Sequence, residues 1–262
     1  MGTVPLLLKC KHSGSLPNLS HQLGNVVRTN SEALVGVLAD KTDFDYSEGI
    51  AITSGIYPDD HTHIETVRYG KGNDAMSGIA TLLVGGGEPW PRPLRFLGTL
   101  LLHPIKLLRS VLPRNWAQRT TILLVMQKID NFLRIEYVKK WWKLGRYGIT
   151  SNWHTDKKVP SYIPVANEYA KAMSQKIGAT PMSVLPEVLF DTSTTAHILG
   201  GCIMSKSPKE GVVDFSGKVH GYDNLFVIDG SVVPVNLGVN PSLTITALAE
   251  YFMDQMPVKK RA

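Results

Sequence analysis

Two cysteines in 262 residues, Cys10 and Cys202, form no CxxC pair and no metal-ligand spacing. That excludes a disulfide framework and points to a reducing compartment. No run of 18 uninterrupted apolar residues exists, so no membrane-spanning helix is expected. The opening Met1-Gly2-Thr3-Val4-Pro5 lacks a basic stretch followed by a full apolar stretch, so it does not read as a signal peptide. The expected location is therefore cytoplasmic or peripheral to a membrane. A dinucleotide fingerprint is also missing. Gly85-Gly86-Gly87 runs into Pro89, Pro91 and Pro93, and Gly70-Lys71-Gly72 lacks the third glycine, whereas a phosphate loop must follow a strand and open a helix.

The 43% apolar and 19% charged composition is enough for a sizeable core and argues against wholesale disorder. The formal charge of +6 comes with no nucleic-acid-binding motif, so no nucleic-acid partner is expected. His61 and His63 have no third ligand nearby in sequence, and no metal is assigned.

Strands are expected at Ala33–Ala39, Ile50–Ile56 and Thr62–Tyr69, from apolar runs and period-two alternation. Thr120–Met126 and Leu133–Tyr137 read as two more, joined as a hairpin across Asp130 and Asn131. Helices are expected near the N-terminus, over Asn73–Leu83, and over Ile163–Ile177, where Pro164 starts the helix and Gly178 stops it. Residues 13–32 read as loop. Trp141, Trp142, Tyr147 and Trp153 suggest a core or a pocket wall.

Residues 89–119 hold Arg92, Arg95, Lys106, Arg109, Arg114 and Arg119 and no acidic residue. Apolar residues from Leu94 to Leu112 interleave, and Pro104 divides the run into two short helices. Two readings stand. The pair covers a sheet and extends its Lys and Arg stems along the surface, or it lies in a membrane interface.

The densest stretch is His197–Glu250. His197 precedes Leu199-Gly200-Gly201, where two glycines permit close approach of the backbone to something large. On its own a single histidine is more often structural than catalytic. Leu225–Asp229 reads as a buried strand that presents Asp229 and Gly230 at its end. Pro241 fits a first helical position and makes Asn240 the expected N-cap, with Leu243, Ala247, Leu248, Tyr251 and Phe252 on one face. A helix start of this kind carries free amides and a partial positive charge.

In this order and spacing, the pieces resemble the C-terminal signature of the GMC (glucose–methanol–choline) flavin oxidoreductases, nearest the cholesterol oxidase-like branch. The resemblance is strong over 194–256. Gly14-Ser15-Leu16-Pro17-Asn18-Leu19-Ser20, Ser47-Glu48-Gly49-Ile50-Ala51 and Thr66–Gly72 extend it weakly along the chain. It implies an α+β or α/β architecture: a mixed-sheet substrate domain covered by helices, plus the C-terminal piece of an FAD-binding domain. The expected division is 1–32 as a residual segment of the FAD-binding domain, 33–185 as the substrate domain, and 186–262 as the signature region.

The implied reaction is FAD-dependent oxidation of an alcohol to a carbonyl, with a sterol or another bulky apolar alcohol as substrate. His197 matches the histidine that helps remove the hydroxyl proton, and Asn240 the asparagine beside the flavin edge. Asp229 and Gly230 match contacts to the ribityl and phosphate portion. Ser242 and the amides after Pro241 match the segment facing the flavin's pyrimidine ring. Ile198 departs from the proline common after that histidine, and no counterpart of the isomerising glutamate of some relatives is apparent. The family's N-terminal Gly-x-Gly-x-x-Gly unit is not among these residues. The chain is therefore expected to be the C-terminal part of a longer enzyme and, alone, to bind FAD weakly or not at all. Two alternatives stand beside this reading: a non-catalytic lipid-surface-binding remnant, or one subunit of a split flavoenzyme.

Overall fold

The structure, a computed structural model, describes residues 2–41, 43–87, 89–111, 115–153 and 157–256. In chain order the elements begin with α1 (Thr3–Ser13), β1 (Val27–Arg28), β2 (Ala33–Ala39), β3 (Ile52–Ile56), β4 (Thr62–Val67) and β5 (Ala80–Leu82). Then come α2 (Arg92–Leu102), α3 (Pro104–Val111), α4 (Trp116–Arg119), β6 (Thr120–Gln127), β7 (Leu133–Lys139) and β8 (Tyr147–Trp153). The chain ends with α5 (Pro164–Ile177), β9 (Ala179–Val184), α6 (Leu185–Phe190), β10 (Leu199–Gly200) and α7 (Ser242–Asp254).

The class is α+β. Every pairing between these strands is antiparallel. The sheet expected to be mixed is therefore antiparallel among the described residues.

Two compact units form. The first joins Met1–Ser31, Lys128–Val159 and Ala196–Ala262; the second joins Glu32–Gln127 and Pro160–Thr195. This division differs from the one expected from sequence. Residues 128–159 leave the middle stretch because β7 pairs with β1 and β8, in a sheet of order β10-β1-β7-β8. Residues 186–195 stay with the second unit, where α6 follows directly on β9.

The second unit is a six-stranded sheet of order β3-β4-β6-β2-β9-β5. On one face α5 packs Ala166 and Ala170 against Val35, Ile64, Leu123 and Val125, all buried. Gly178, at φ 63°, ends α5 in the left-handed conformation that a glycine adopts most readily. Pro104 separates α2 from α3, as its missing N–H requires. Leu112 and Arg114 of the basic stretch lie outside the described residues.

Three expectations are corrected. Asn73–Leu83 is a 3-10 turn over Asp74–Ile79 followed by β5, because Ala80 and Leu82 find Val184 and Met182 of β9 as partners. No β6–β7 hairpin forms, since β6 lies between β4 and β2 while β7 joins the other sheet. Trp141 and Trp142 are not core: they are 84% and 59% exposed at the β7–β8 connection. Lysines sit over the aromatic rings there, with Lys140 Nζ 5.1 Å from the Trp142 centroid.

The first unit closes around Val4 and Leu7 of α1, Val27, Ile135, Cys202, Val213, Val227 and Phe252 of α7. Burying such side chains stabilises by about 1.5–3 kcal/mol each. Burial also pushes the Cys202 thiol up to about 12, so it is an inert part of this core.

Candidate functional site in the first unit

The site is built on the β1–β10 ladder. Val27 pairs with Gly200 and Arg28 with Leu199. The strands are antiparallel, so the chain leaving β1 towards Asn30 and the chain entering β10 from His197 lie at the same end of the ladder. Gly200 and Gly201 have φ of 73° and 88°. A Cβ on Gly200 would stand 2.3 Å from the Val26 carbonyl oxygen, and one on Gly201 2.6 Å from Val4. The glycine pair therefore admits the protein's own chain, where the sequence pointed to something large.

On the other side of the glycines, the Cys202 N–H donates to the Ser231 carbonyl at 2.9 Å. This places the Asp229–Gly230 turn beside β10. Leu225–Asp229 is not a strand; it carries one isolated bridge, Lys218 to Phe226. Asp229 instead caps a 3-10 turn over Gly230–Val232, accepting from the Ser231 N–H at 2.8 Å and the Ser231 hydroxyl at 2.5 Å. The Thr3 hydroxyl donates to its other oxygen. Burial pushes the Asp229 carboxyl up, but the hydrogen bonds from Ser231 and Thr3 outweigh it and hold the group below the usual carboxylate range.

A cavity of about 240 Å³ opens here, lined by Thr3, Val27, Ile198, Asp229, Gly230 and Ile245 among others. Complete small-molecule pockets hold about 300–1,000 Å³, so this is the size of a partial site. His197, Asn240, Pro241 and Ser242 are not among its lining residues. The six residues singled out in the sequence thus fall in two places. Asp229 and Gly230 face the cavity, while His197 is at the end of the ladder.

Asn240 joins that end through residues the sequence reading did not mark. Asn30 is fully buried; its Oδ1 accepts from the Gly238 N–H at 2.7 Å and its Nδ2 donates to the Val239 carbonyl at 3.0 Å. The segment before Asn240 is therefore tied to the residue two past β1. Arg28 adds a second tie: Nε donates to the Pro234 carbonyl at 2.8 Å, and Nη1 to Asp130 at 2.7 Å and the Asn131 carbonyl at 3.0 Å. A run of small polar residues, Thr29-Asn30-Ser31, after the apolar Val26-Val27 pair is the one available signal, and loops elsewhere look the same.

Helix α7 begins one residue later than expected, with Pro241 as N-cap at φ −84°, ψ −8°, and Ile245 N–H bonded to its carbonyl at 2.9 Å. The proline supplies no N–H, and the amides that follow are the unpaired ones of a helix start. Phe252 and Leu248 turn into the core, while Leu243 (82%) and Tyr251 (56%) are exposed, so the expected single apolar face is split.

Residues 144–249 match the sequence model of the GMC oxidoreductase family, and all six singled-out residues lie in that range. That match and the relatives that follow make the chain similar to the GMC oxidoreductases, cholesterol oxidases among them. It is similar to a cholesterol oxidase of Acinetobacter baumannii, 44% identical over 260 residues, covering 99% of this chain and 46% of that protein. It is also similar to a cholesterol oxidase of Mycobacterium tuberculosis, 40% identical over 269 residues, covering 98% and 45%. The chain therefore spans about half the length of the curated relatives it matches. Among solved structures, pyridoxine 4-oxidase from Mesorbium loti aligns over 89% of this chain and 44% of that one, at 14% identity and a TM-score of 0.44.

Proposed function

We propose that this chain carries the substrate side and the flavin-edge segment of an FAD-dependent alcohol oxidoreductase acting on a sterol or another bulky apolar alcohol. The observation that carries the reading is the gathering of the His197 and Asn240 segments at one end of the β1–β10 ladder. The names of the two cholesterol oxidases above support the substrate class.

The donor set fits the cofactor. A carboxylate held ionised is an acceptor suited to ribityl hydroxyls, and Asp229 has capacity beyond the bonds from Thr3 and Ser231. The partial size of the cavity suits one portion of FAD and not the whole. Bound FAD supplies the acceptor for the hydride leaving the carbinol carbon. The chain's own residues handle the rest. His197 takes the hydroxyl proton, an effect of about 10²–10⁴-fold. Asn240 orients that hydroxyl with its amide. The start of α7 offers amides and a partial positive charge to an anion.

The test is to express the chain alone and extended by its upstream sequence in frame, then record visible flavin absorption and sterol turnover. The extended protein is expected to carry flavin and oxidise the sterol, with turnover lost in His197→Ala. Absence of flavin at every length, or full turnover in His197→Ala, overturns the reading.

A second reading, docking to a lipid surface, is favoured by one observation. Leu94, Leu97, Leu101, Ile105 and Leu108 recur at helical spacing along α2 and α3, and all are more than half exposed. Lys106 lies among them and no acidic residue does. An apolar ridge with a basic flank is the pattern of helices lying in an anionic lipid interface. No helix among the described residues is long and apolar enough to cross a membrane.

A further inference from the structure

We propose that Asn30 is a positioning residue that sets the orientation of Asn240 by clamping two of the three peptide planes in front of it. The inference rests on the assignment of Asn240 to the reacting edge. The Gly238 N–H belongs to the plane joining Leu237 to Gly238, and the Val239 carbonyl to the plane joining Val239 to Asn240. One amide side chain holds both, at 2.7 Å and 3.0 Å. Rotation of the second plane swings the Cα of Asn240, so the clamp acts directly on the direction of that side chain.

The clamp is itself held in place. Asn30 and Ser31 are fully buried and adopt φ of 57° and 47° in succession. Left-handed conformation disfavours residues with a Cβ, and asparagine is among the few that tolerate it. Such geometry persists only where the surroundings over-determine it, and it concentrates at functional sites. Here the surroundings form a closed circuit. Asn131 Nδ2 donates to the Ser31 hydroxyl at 2.9 Å, and Asn236 Nδ2 donates to Asn131 Oδ1 at 3.0 Å. Asn236 stands two residues before Gly238, whose own φ of 69° completes the turn. The circuit runs from 30–31 to 131, to 236, and along the chain to 238–239 and back to 30. Asn236 also donates to the carbonyls of Ile129, at 2.7 Å, and Asn131, at 3.0 Å. Every link lies in the first unit.

A purely structural asparagine, present only to accept the left-handed turn, would be replaced by glycine at no local cost. Asn30→Gly therefore separates the two roles, since it eases the backbone and removes the clamp. Hydrogen exchange of the 262-residue chain reads the result without cofactor. Amides over 237–240 are expected to exchange at least tenfold faster in Asn30→Gly, with residues 212–219 unchanged. In the flavin-loaded full-length protein, kcat is expected to fall at least tenfold with KM for the alcohol unchanged. Unchanged exchange over 237–240, or an equal rise everywhere, overturns the clamp. Where Asn30→Gly yields no folded protein, Asn30→Asp decides by the same readout. It keeps the left-handed tolerance and the acceptor for Gly238 but loses the donor to Val239, and is expected to speed exchange over 237–240 relative to the unsubstituted chain with 212–219 unchanged. If His197→Ala keeps full turnover, the enzymatic reading fails while the exchange result for Asn30 stands on its own.

Discussion

The hydroxyl of Thr3 donates to the carboxylate of Asp229, 226 positions further along the chain. Helix α1 thus reaches the candidate cofactor site through its first residue. Removing this bond in Thr3→Val leaves the Ser231 bonds in place and is expected to cost about 1 kcal/mol. The Asp229 pKa should rise, because burial is then opposed by one donor fewer. Carboxyl carbon NMR titration of Asp229 and a urea unfolding curve check the two outcomes.

Arg28 holds the Pro234 and Asn131 carbonyls while its neighbour Asp130 is 62% exposed. Lysine has no planar fork with which to reach both carbonyls at once. Arg28→Lys is expected to destabilise by about 1–3 kcal/mol, mainly through the unpaired carbonyls and not through the solvated ion pair. The urea midpoint should fall with the slope unchanged.

Glu187 is buried in the second unit, where its Oε1 accepts from the Leu34 N–H at 3.2 Å and the Thr194 N–H at 3.3 Å. Burial dominates over these bonds and over Arg92, and pushes the carboxyl from 4.5 up to about 8. The folded state therefore binds the proton more tightly than the unfolded chain. Its stabilising effect is complete below about pH 4.5 and is lost as pH rises through about 8. Glu187→Gln keeps the acceptor and removes the titration. The variant is expected to lose less stability than wild type between pH 5 and 8.5, and to melt higher at the alkaline end. Thermal midpoints across that range decide it, and parallel curves refute the assignment.

Leu101 and Ile105 are 75% and 67% exposed, so charging them costs the fold little. Under the lipid-docking reading, Leu101→Asp with Ile105→Asp abolishes co-sedimentation with anionic phosphatidylserine vesicles while the thermal midpoint stays put. Retained co-sedimentation in the double variant ends that reading.

The local signals that survived into the fold are those with a strong period or a hard stop. The apolar run Ala33–Ala39 became β2, and Pro164 and Gly178 bracket α5 as the sequence implied. Pro104 marked the break between α2 and α3 for the same reason. What was illegible depended on partners far away in sequence. Ala80–Leu82 has helical neighbours, and only β9, a hundred residues on, makes it a strand. Asp130-Asn131 looked like a tight turn but is a relay point bound by Arg28 and Asn236. In the candidate site, His197, Asp229 and Asn240 stood out by residue type and order. Asn30 did not, because its work is done by a backbone angle and two hydrogen bonds that no spacing reveals.

Strand β1 is two residues long and is flanked by β7 on one side and β10 on the other. Its partner Leu199 lies 171 residues after Arg28 (199 − 28). At roughly 5–20 residues per second of synthesis, that interval is on the order of 10–30 s. Until it has passed, Val27 and Arg28 have no finished sheet to join. The segments of the second unit are all made by residue 195. During synthesis β1 therefore waits for its second partner after the segments of the second unit are all made. The core around Val4 and Leu7 closes later still, when Val213, Val227 and Phe252 have been made.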